Sequence, residues 1–413
     1  MGSLKDLEEI FSPGAAIGSI EQFCGRTDQL ERASKALRKK GISLTIYGFR
    51  GVGKSSLGYQ VISMARRDKS FEDMEGEVVL PKKKFHVTYC SVAFGVSDVN
   101  GIILEVLSAP DGVGEHLPAE QKTEVRDIKL GVGIGSAKLG GGKSVSQVTQ
   151  GVRSQISSLL LNSITRQKKD SGLDCLIVID ELDRVADKSG LAELIKACEK
   201  YPVKFVLIGI STDIERLLDD HTSIKRQLRG GTILVPPMTQ DETREIMVQA
   251  NSDLAGRIEF STNSIDYIVN LSEGHPYLVH CIGDACLDLA QDMGRKIVTE
   301  RMANKAMQNL ASDESFDLEA SYRKAVKGSA YREYVLKAFA ETKDSEMRTK
   351  EVYSRIESET FIERASIGTF TGHLAKEEYG SPIENIRHGV YQFTDNIFKV
   401  YCRSRPFSYW EIK

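Results

Sequence analysis

Two rhythms of hydrophobic and polar positions divide the chain. From about residue 42 to 235, short apolar runs recur with amphipathic stretches between them: Ser43–Tyr47, Lys84–Val92, Leu176–Ile179, Lys204–Ile210 and Thr232–Val235. Such runs, separated by patterns of helical period, predict strands of a parallel sheet covered on both faces by helices, an α/β fold. From Pro236 onward the period is helical. Thr239, Asp241 and Glu242 are placed to cap a helix running to Ala250, Ser264 to cap Ile265–Leu271, and Gly274–Gly283 to open an apolar-striped helix ending near Met293. Helices are expected again at Glu333–Glu341, Lys350–Glu357 and Ser366–Glu378. A hairpin at Ile386–Phe393, closed by Phe398–Tyr401, follows them. Before the first strand, residues 1–22 read as an arm, and Asp28, Leu30, Ala33 and Leu37 mark an amphipathic helix ending near Gly41.

One stretch breaks the α/β rhythm. Between Ala93 and Gly151 a short helix around Ile103–Leu107 and a loop from Pro110 to Pro118 lead into Ile128–Gly135, which alternates at period two and predicts an inserted hairpin or flap. Its glycines imitate two motifs. Gly131–Gly135 is not followed at once by a helix, and Gly142-Lys143-Ser144 has Ala137 where a phosphate loop needs its first glycine, so neither meets its motif's contextual requirement.

The chemistry sits where two strands end. After the first strand, Gly48, Gly53, Lys54 and Ser55 satisfy G-x-x-x-x-G-K-[ST] between an apolar run and a helix. Gly48, Gly51 and Gly53 allow a turn tight enough to aim backbone N–H groups at phosphate oxygens, with Arg50, Val52 and Ser56 completing the cradle. Lys54 is placed to reach the β- and γ-phosphates of ATP, or the β-phosphate of ADP, and the Ser55 hydroxyl to ligate Mg²⁺. The run Leu176–Ile179 ends in Asp180-Glu181, which puts two carboxylates at the edge where open α/β sheets react. Asp180 is assigned to Mg²⁺ through water and Glu181 to polarising the attacking water.

Length and charge set the bounds. A chain of 413 residues with 41% hydrophobic residues holds two or three domains. Its formal charge of −3 means that any nucleic-acid contact must come from a local patch. Seven scattered cysteines without a C-x-x-C pair suit reduced thiols, no apolar run approaches a membrane span, and a cytoplasmic location is expected.

These motifs resemble the initiator (origin-recognition-like) and STAND branch of the AAA+-like P-loop ATPases. The resemblance starts at F-C-G-R-T-D-Q-L-E-R, Phe23–Arg32, and extends to the C-terminus apart from the insertion 93–151. It implies a P-loop ATPase core over 23–235, a helical lid over 236–327 and a winged helix over 328–413. It also implies Arg26 beside the adenine, a sensor at Thr212 (Ser211 as alternate), and an arginine finger at Arg226 (Arg229 as fallback) acting on a neighbouring subunit. Ser211, Thr212 and Asp213 equally suit the cap of the following helix. Where initiators carry a sensor arginine at the start of the lid helix this chain has Tyr277, and His275-Pro276 instead resembles the STAND turn that meets the phosphates. Pro276 suits a first helical position in either case.

The expected activity is Mg²⁺-dependent ATP hydrolysis in a homo-oligomer. Two outputs follow from the resemblance: a signalling or defence switch acting on a separate effector protein, or DNA binding of initiator or transposition-regulator type through the winged helix. Lys376 is followed by Glu377 and Glu378 in the winged helix's last helix, which weighs against DNA there.

Overall fold

The computed structural model describes residues 6–73, 78–133, 145–185, 187–209, 228, 230–312, 318–342, 344, 346–405 and 407. These fall into two compact units, one of residues 16–49 with 54–236, the other of residues 1–15, 50–53 and 237–413.

The first unit runs α1 (Thr27–Arg38), β1 (Leu44–Tyr47), α2 (Lys54–Arg66), β2 (Phe85–Ser91), α3 (Val99–Ser108), α4 (Ala119–Gly133), α5 (Val145–Ser171), β3 (Asp174–Asp180), α6 (Leu191–Ala197), β4 (Val203–Gly209) and β5 (Thr232–Leu234). The strands form one sheet in the order β2-β3-β4-β1-β5, and each pairing is parallel. All strand C-termini therefore share one edge. Strand β4 lies between β1, which feeds the phosphate loop, and β3, which ends in Asp180. Residues 175–180 of β3 are buried throughout, the mark of a strand covered on both faces.

Helix α2 turns Leu57, Val61 and Met64 into the core, as its apolar spacing requires. It lies so close to the sheet that a Cβ on Gly58 would stand 2.5 Å from Ile208 Cδ1. The C-terminus of α1 is closed from a distant strand: Lys204 Nζ donates to the carbonyls of Ala36 (2.9 Å), Leu37 (2.8 Å) and Lys39. Carbonyls that the helix leaves unpaired are thereby satisfied.

The expected hairpin at Ile128–Gly135 is overturned as far as the chain is described there. Residues through Gly133 belong to α4, whose Val125 is 5% exposed with Ile128 packed beside it, three residues on. Packing of α4 against α3 and α5 imposes the helical period, and Lys129 pairs with Glu105 of α3 at 3.0 Å. Alternation read through glycines and short apolar residues does not discriminate between the two periods.

The second unit contains α7 (Gln240–Leu254), β6 (Glu259–Phe260), α8 (Thr262–Ser272), α9 (Pro276–Asp292), β7 (Ile297–Val298), α10 (Glu300–Ser312), α11 (Leu318–Val326), α12 (Ala330–Ala340), β8 (Met347–Arg348), α13 (Thr349–Glu359), α14 (Arg364–Leu374), β9 (Ile383–Arg387), β10 (Val390–Phe393) and α15 (Asn396–Ser404). Helix α7 starts with the expected capping box, Glu242 N–H donating to Thr239 Oγ1 at 3.2 Å and Thr239 N–H to Glu242 Oε2 at 2.9 Å. Helix α8 begins earlier than its sequence suggested. Ser261 is the cap, accepting from Ser264 N–H at 3.3 Å, while Ser264 donates its hydroxyl to the Val298 carbonyl at 2.9 Å.

Two joints hold this unit together. The arm is anchored: Phe11 is 2% exposed, edge-on to Phe260 (5.8 Å) and His280 (5.9 Å), in space that a side chain at Gly283 would fill. The end of α8 meets α15 through Glu273, which pairs with Lys399 at 2.6 Å and with Arg403. Toward the C-terminus, α12, α13 and α14 accompany a three-stranded antiparallel sheet in the order β8-β10-β9.

Candidate nucleotide site

The loop between β1 and α2 has the backbone that its glycines allow. Gly51 and Gly53 sit at φ +76° and +91°, a region that side chains disfavour. Gly48 and Val52 are buried, and Arg50 is exposed. Lys54 begins α2 and donates from Nζ to the Phe49 carbonyl at 2.8 Å, which keeps its ammonium on the loop. Ser55 and Ser56 follow in the first turn, where helical N–H groups lack intrahelical partners. The Ser56 hydroxyl accepts from Ile17 N–H at 3.0 Å, and Gln60 Nε2 donates to the carbonyls of Ile17 (3.0 Å) and Gly18 (3.2 Å). The sequence reading missed this clamp. Its available signal was Gln60, a polar residue on the inward face of α2 and 0% exposed. Arg26 stands immediately before α1 at φ +64° and is 4% exposed.

At the end of β3 the two carboxylates occupy different surroundings. Asp180 is 3% exposed, its Oδ2 accepting from Tyr89 O–H at 3.2 Å and its Oδ1 from Glu181 N–H at 2.7 Å. Burial, and then the Asp180 charge, push the Tyr89 hydroxyl far above its ordinary range, so it remains a donor. Both donors to Asp180 among the described residues are neutral, and no ion pair to it occurs among them. A buried carboxylate with only neutral partners is the chemistry of a cation site, and it fits Mg²⁺ held with the Ser55 hydroxyl. Glu181 is part-exposed at φ +57°, with its Oε2 paired to Arg184 and accepting from Ser91 O–H at 3.4 Å.

In the second unit, His275 is 2% exposed and donates from Nδ1 to the Ser272 carbonyl at 3.2 Å, so this nitrogen closes the end of α8. Pro276 takes the first position of α9. Residues 50–53 group with this unit through named contacts. Tyr277 N–H donates to the Gly51 carbonyl at 3.4 Å, and Asn396 Nδ2 of α15 to the Arg50 carbonyl at 3.3 Å. A Cβ on Gly51 would lie 3.4 Å from Tyr277 Cβ, and one on Gly53 3.6 Å from Pro276 Cγ. Tyr277 and Asn396 were not foreseen as partners of the loop. Ser211, Thr212, Asp213, Arg226 and Arg229 lie outside the described residues.

The profile of the novel STAND NTPase 1 family matches residues 18–276. The chain belongs to this family. No curated protein matches it. Among solved structures, the ADP form of the Aeropyrum pernix ORC2 protein is similar with a TM-score of 0.50 and 13% identity over 97% of this chain and 98% of that one. A Walker-type ATPase of Pyrococcus abyssi gives 0.49 and 17% over 96% and 100%, and Cdc6p from Pyrobaculum aerophilum 0.47 and 14% over 96% and 97%. At such identities the likeness is one of fold. This member of the novel STAND NTPase 1 family is therefore a nucleotide-binding P-loop NTPase, with an α/β core and a helical C-terminal region. No helix among its described residues is long and apolar enough to cross a membrane.

Proposed function

We propose that this STAND NTPase is a regulatory switch. It binds ATP with Mg²⁺, hydrolyses it, assembles into homo-oligomers in the cytoplasm and passes its nucleotide state to a separate protein partner. The observation that carries the reading is the contact of Tyr277 and Asn396 with the Gly51 and Arg50 carbonyls. Phosphates entering the loop act on residues 50–53, which Tyr277 and Asn396 contact, so nucleotide binding and these contacts are linked.

In this reading Lys54 exchanges the Phe49 carbonyl for the β- and γ-phosphates, and Ser55 and Asp180 hold Mg²⁺. When bound, the metal neutralises charge on the phosphates. Glu181, released from Arg184 and Ser91, orients the attacking water. Arg26 lies toward the adenine, and His275 and Pro276 fix the turn that delivers Tyr277. Residues 328–413 act as a winged helix serving intramolecular clamping and assembly. DNA binding through that segment is disfavoured, because Lys327 is paired with Glu378 at 2.6 Å beside Lys376 and Glu377.

Two substitutions test the assignment. Lys54→Ala is expected to abolish ATP binding in calorimetry, whereas Glu181→Gln retains ATP and loses turnover by two to four decades, on the order of a lost general base. Hydrolysis by Glu181→Gln at the parental rate would refute the role given to Glu181.

A further inference from the structure

Helix α9 starts beside the phosphate loop, where Tyr277 N–H donates to the Gly51 carbonyl, and ends at its cap Met293. At that far end, the turn after α9, β7 and the exposed face of α10 line an open groove of ≈ 950 Å³. Its lining is of two kinds. Arg295 and Lys296 on the turn and Arg301 and Lys305 on α10 are all exposed, and none joins an ion pair among the described residues. Beside them stand Met293 and Ile297, 47% and 56% exposed, with Met302 in the same lining. No acid belongs to it: Asp292 and Glu300, the nearest in sequence, and Glu259, the β6 partner of Ile297, lie outside the lining.

Along α10, Arg301, Asn304, Lys305 and Gln308 follow one another at i, i+3, i+4 and i+7, so they share one helix face. Hydrogen bonds order this wall, Gln308 Nε2 donating to Asn304 Oδ1 at 2.9 Å and Asn304 Nδ2 to Tyr267 Oη at 3.1 Å. Ala303, Ala306 and Met307 are buried on the side that packs within the unit. The groove face is therefore not the helix's packing stripe turned outward.

We propose that this groove docks an acidic segment of a partner protein, one that carries apolar side chains among its carboxylates. Like-charged side chains gathered without counter-charge repel one another until an anion completes them, so the four cations select an acidic occupant although the whole chain has a net charge of −3. Charge accounts for only half of the lining. Met293 and Ile297 hold apolar surface in water inside a concavity, and an occupant that covers them gains by removing it. Met and Arg are the side chains that protein interfaces favour, Met because its unbranched thioether repacks around different neighbours, while Lys and Arg stems add apolar length beneath their charges. Phosphates answer the cations and leave the two apolar side chains unmatched, and a small anion leaves most of ≈ 950 Å³ unfilled. Asp and Glu interleaved with Leu, Ile or Phe answer both halves. The inference rests on the proposed switch only in taking the occupant to be that switch's partner: α9 joins the loop contact at its first turn to the groove at its last, within one compact unit. Docking itself requires no nucleotide.

The test is fluorescence anisotropy of the full chain with a labelled peptide in which pairs of Glu alternate with Leu, titrated over a salt series without nucleotide. Arg301→Glu/Lys305→Glu is expected to weaken binding by roughly tenfold or more and to remove most of its salt dependence. Met293→Ser/Ile297→Ser should weaken it by about fivefold with the salt dependence kept, because apolar cover is lost and no charge is. A peptide with Ser in place of every Leu should bind the parent about fivefold more weakly for the same reason. Lys39→Glu/Lys40→Glu in the other unit makes the same change of net charge as the α10 variant and should stay within about twofold of the parent. If the α10 variant melts early, Arg295→Gln/Lys296→Gln gives the same reading from the turn. No binding by the parent at low salt would overturn the proposal, as would binding that neither the charge variants nor the apolar variant alters. Equal affinity for the Leu and Ser peptides would overturn it in favour of a bare polyanion site, and tighter binding of a mixed-sequence DNA duplex, lost in the same variants, would overturn a protein occupant. ATP should shift the peptide's affinity in the parent and not in Lys54→Ala. Peptide binding that the groove variants abolish and ATP leaves unchanged would count against the switch and uphold the docking site, which separates the two failures.

Discussion

In the proposed cycle, Glu181 starts already engaged. Its carboxylate is paired with Arg184 and accepts from Ser91, and both members of the ion pair are more than a third exposed. A pair so open to water is worth no more than about 1 kcal/mol, enough to park the carboxylate and too little to lock it. Arg184→Ala is accordingly expected to raise turnover at saturating ATP by no more than about fivefold, measured as phosphate release. A fall of a decade or more would place Arg184 in the machinery instead. Asp180 differs because it is buried and cannot be rearranged as cheaply. The Tyr89 hydroxyl and the Glu181 amide fix its two oxygens in place.

At the scale of elements, stability is concentrated at joints between segments far apart in sequence. Glu273, at φ +49° between α8 and the His275-Pro276 turn, faces Lys399 and Arg403 of α15, with the Lys399 side chain 3% exposed and its own 10%. Burial holds the Lys399 ammonium below its usual range even though Glu273 pulls it upward. Glu273→Gln leaves that ammonium uncompensated and should cost about 3–5 kcal/mol in chemical denaturation. Glu273→Met/Lys399→Met should recover much of the loss, because the buried ammonium is then gone and the Arg403 guanidinium, its side chain 25% exposed, still reaches water. The arm joint carries a pH dependence. His280 Nδ1 accepts from Ser12 N–H at 3.2 Å, which requires a neutral ring, and burial pushes its pKa down to about 4. Since the unfolded ring titrates near about 6.5, the unfolded state takes up the proton first. Stability is full above that pH and is lost as pH falls toward 4, by about 3 kcal/mol in all. Thermal melts between these limits should lose most of that slope in His280→Asn, which keeps an acceptor in the Nδ1 position and does not titrate.

At the scale of the whole molecule, the proposed oligomer is tested by mixing. If Arg226 completes a neighbour's site, Arg226→Ala chains supply intact cradles and Glu181→Gln chains supply intact fingers. Their mixture should recover activity that neither has alone, since a finger in trans can be worth about 10³ to 10⁵ in rate. Hydrolysis per chain should also rise with protein concentration. Mixed oligomers without recovered activity, or full activity in Arg226→Ala alone, would exclude the trans role.

The sequence by itself determined the α/β core, the phosphate loop and the Asp180-Glu181 pair. Their signals are local: apolar runs of strand length, glycines where φ must be positive, and carboxylates at a strand's end. It also placed the Thr239 capping box, whose two bonds span four residues. Only the tertiary structure decided the strand order β2-β3-β4-β1-β5, the helical state of Ile128–Gly133, and the cap at Ser261. The same holds for the contacts that define the site's surroundings: Tyr89 on Asp180, Gln60 on Ile17, Tyr277 on Gly51 and Glu273 on Lys399. Each joins side chains or carbonyls dozens to more than two hundred residues apart, or in different elements. No periodicity encodes such a pairing, because it arises only when burial forces separate segments to satisfy one another's polar groups.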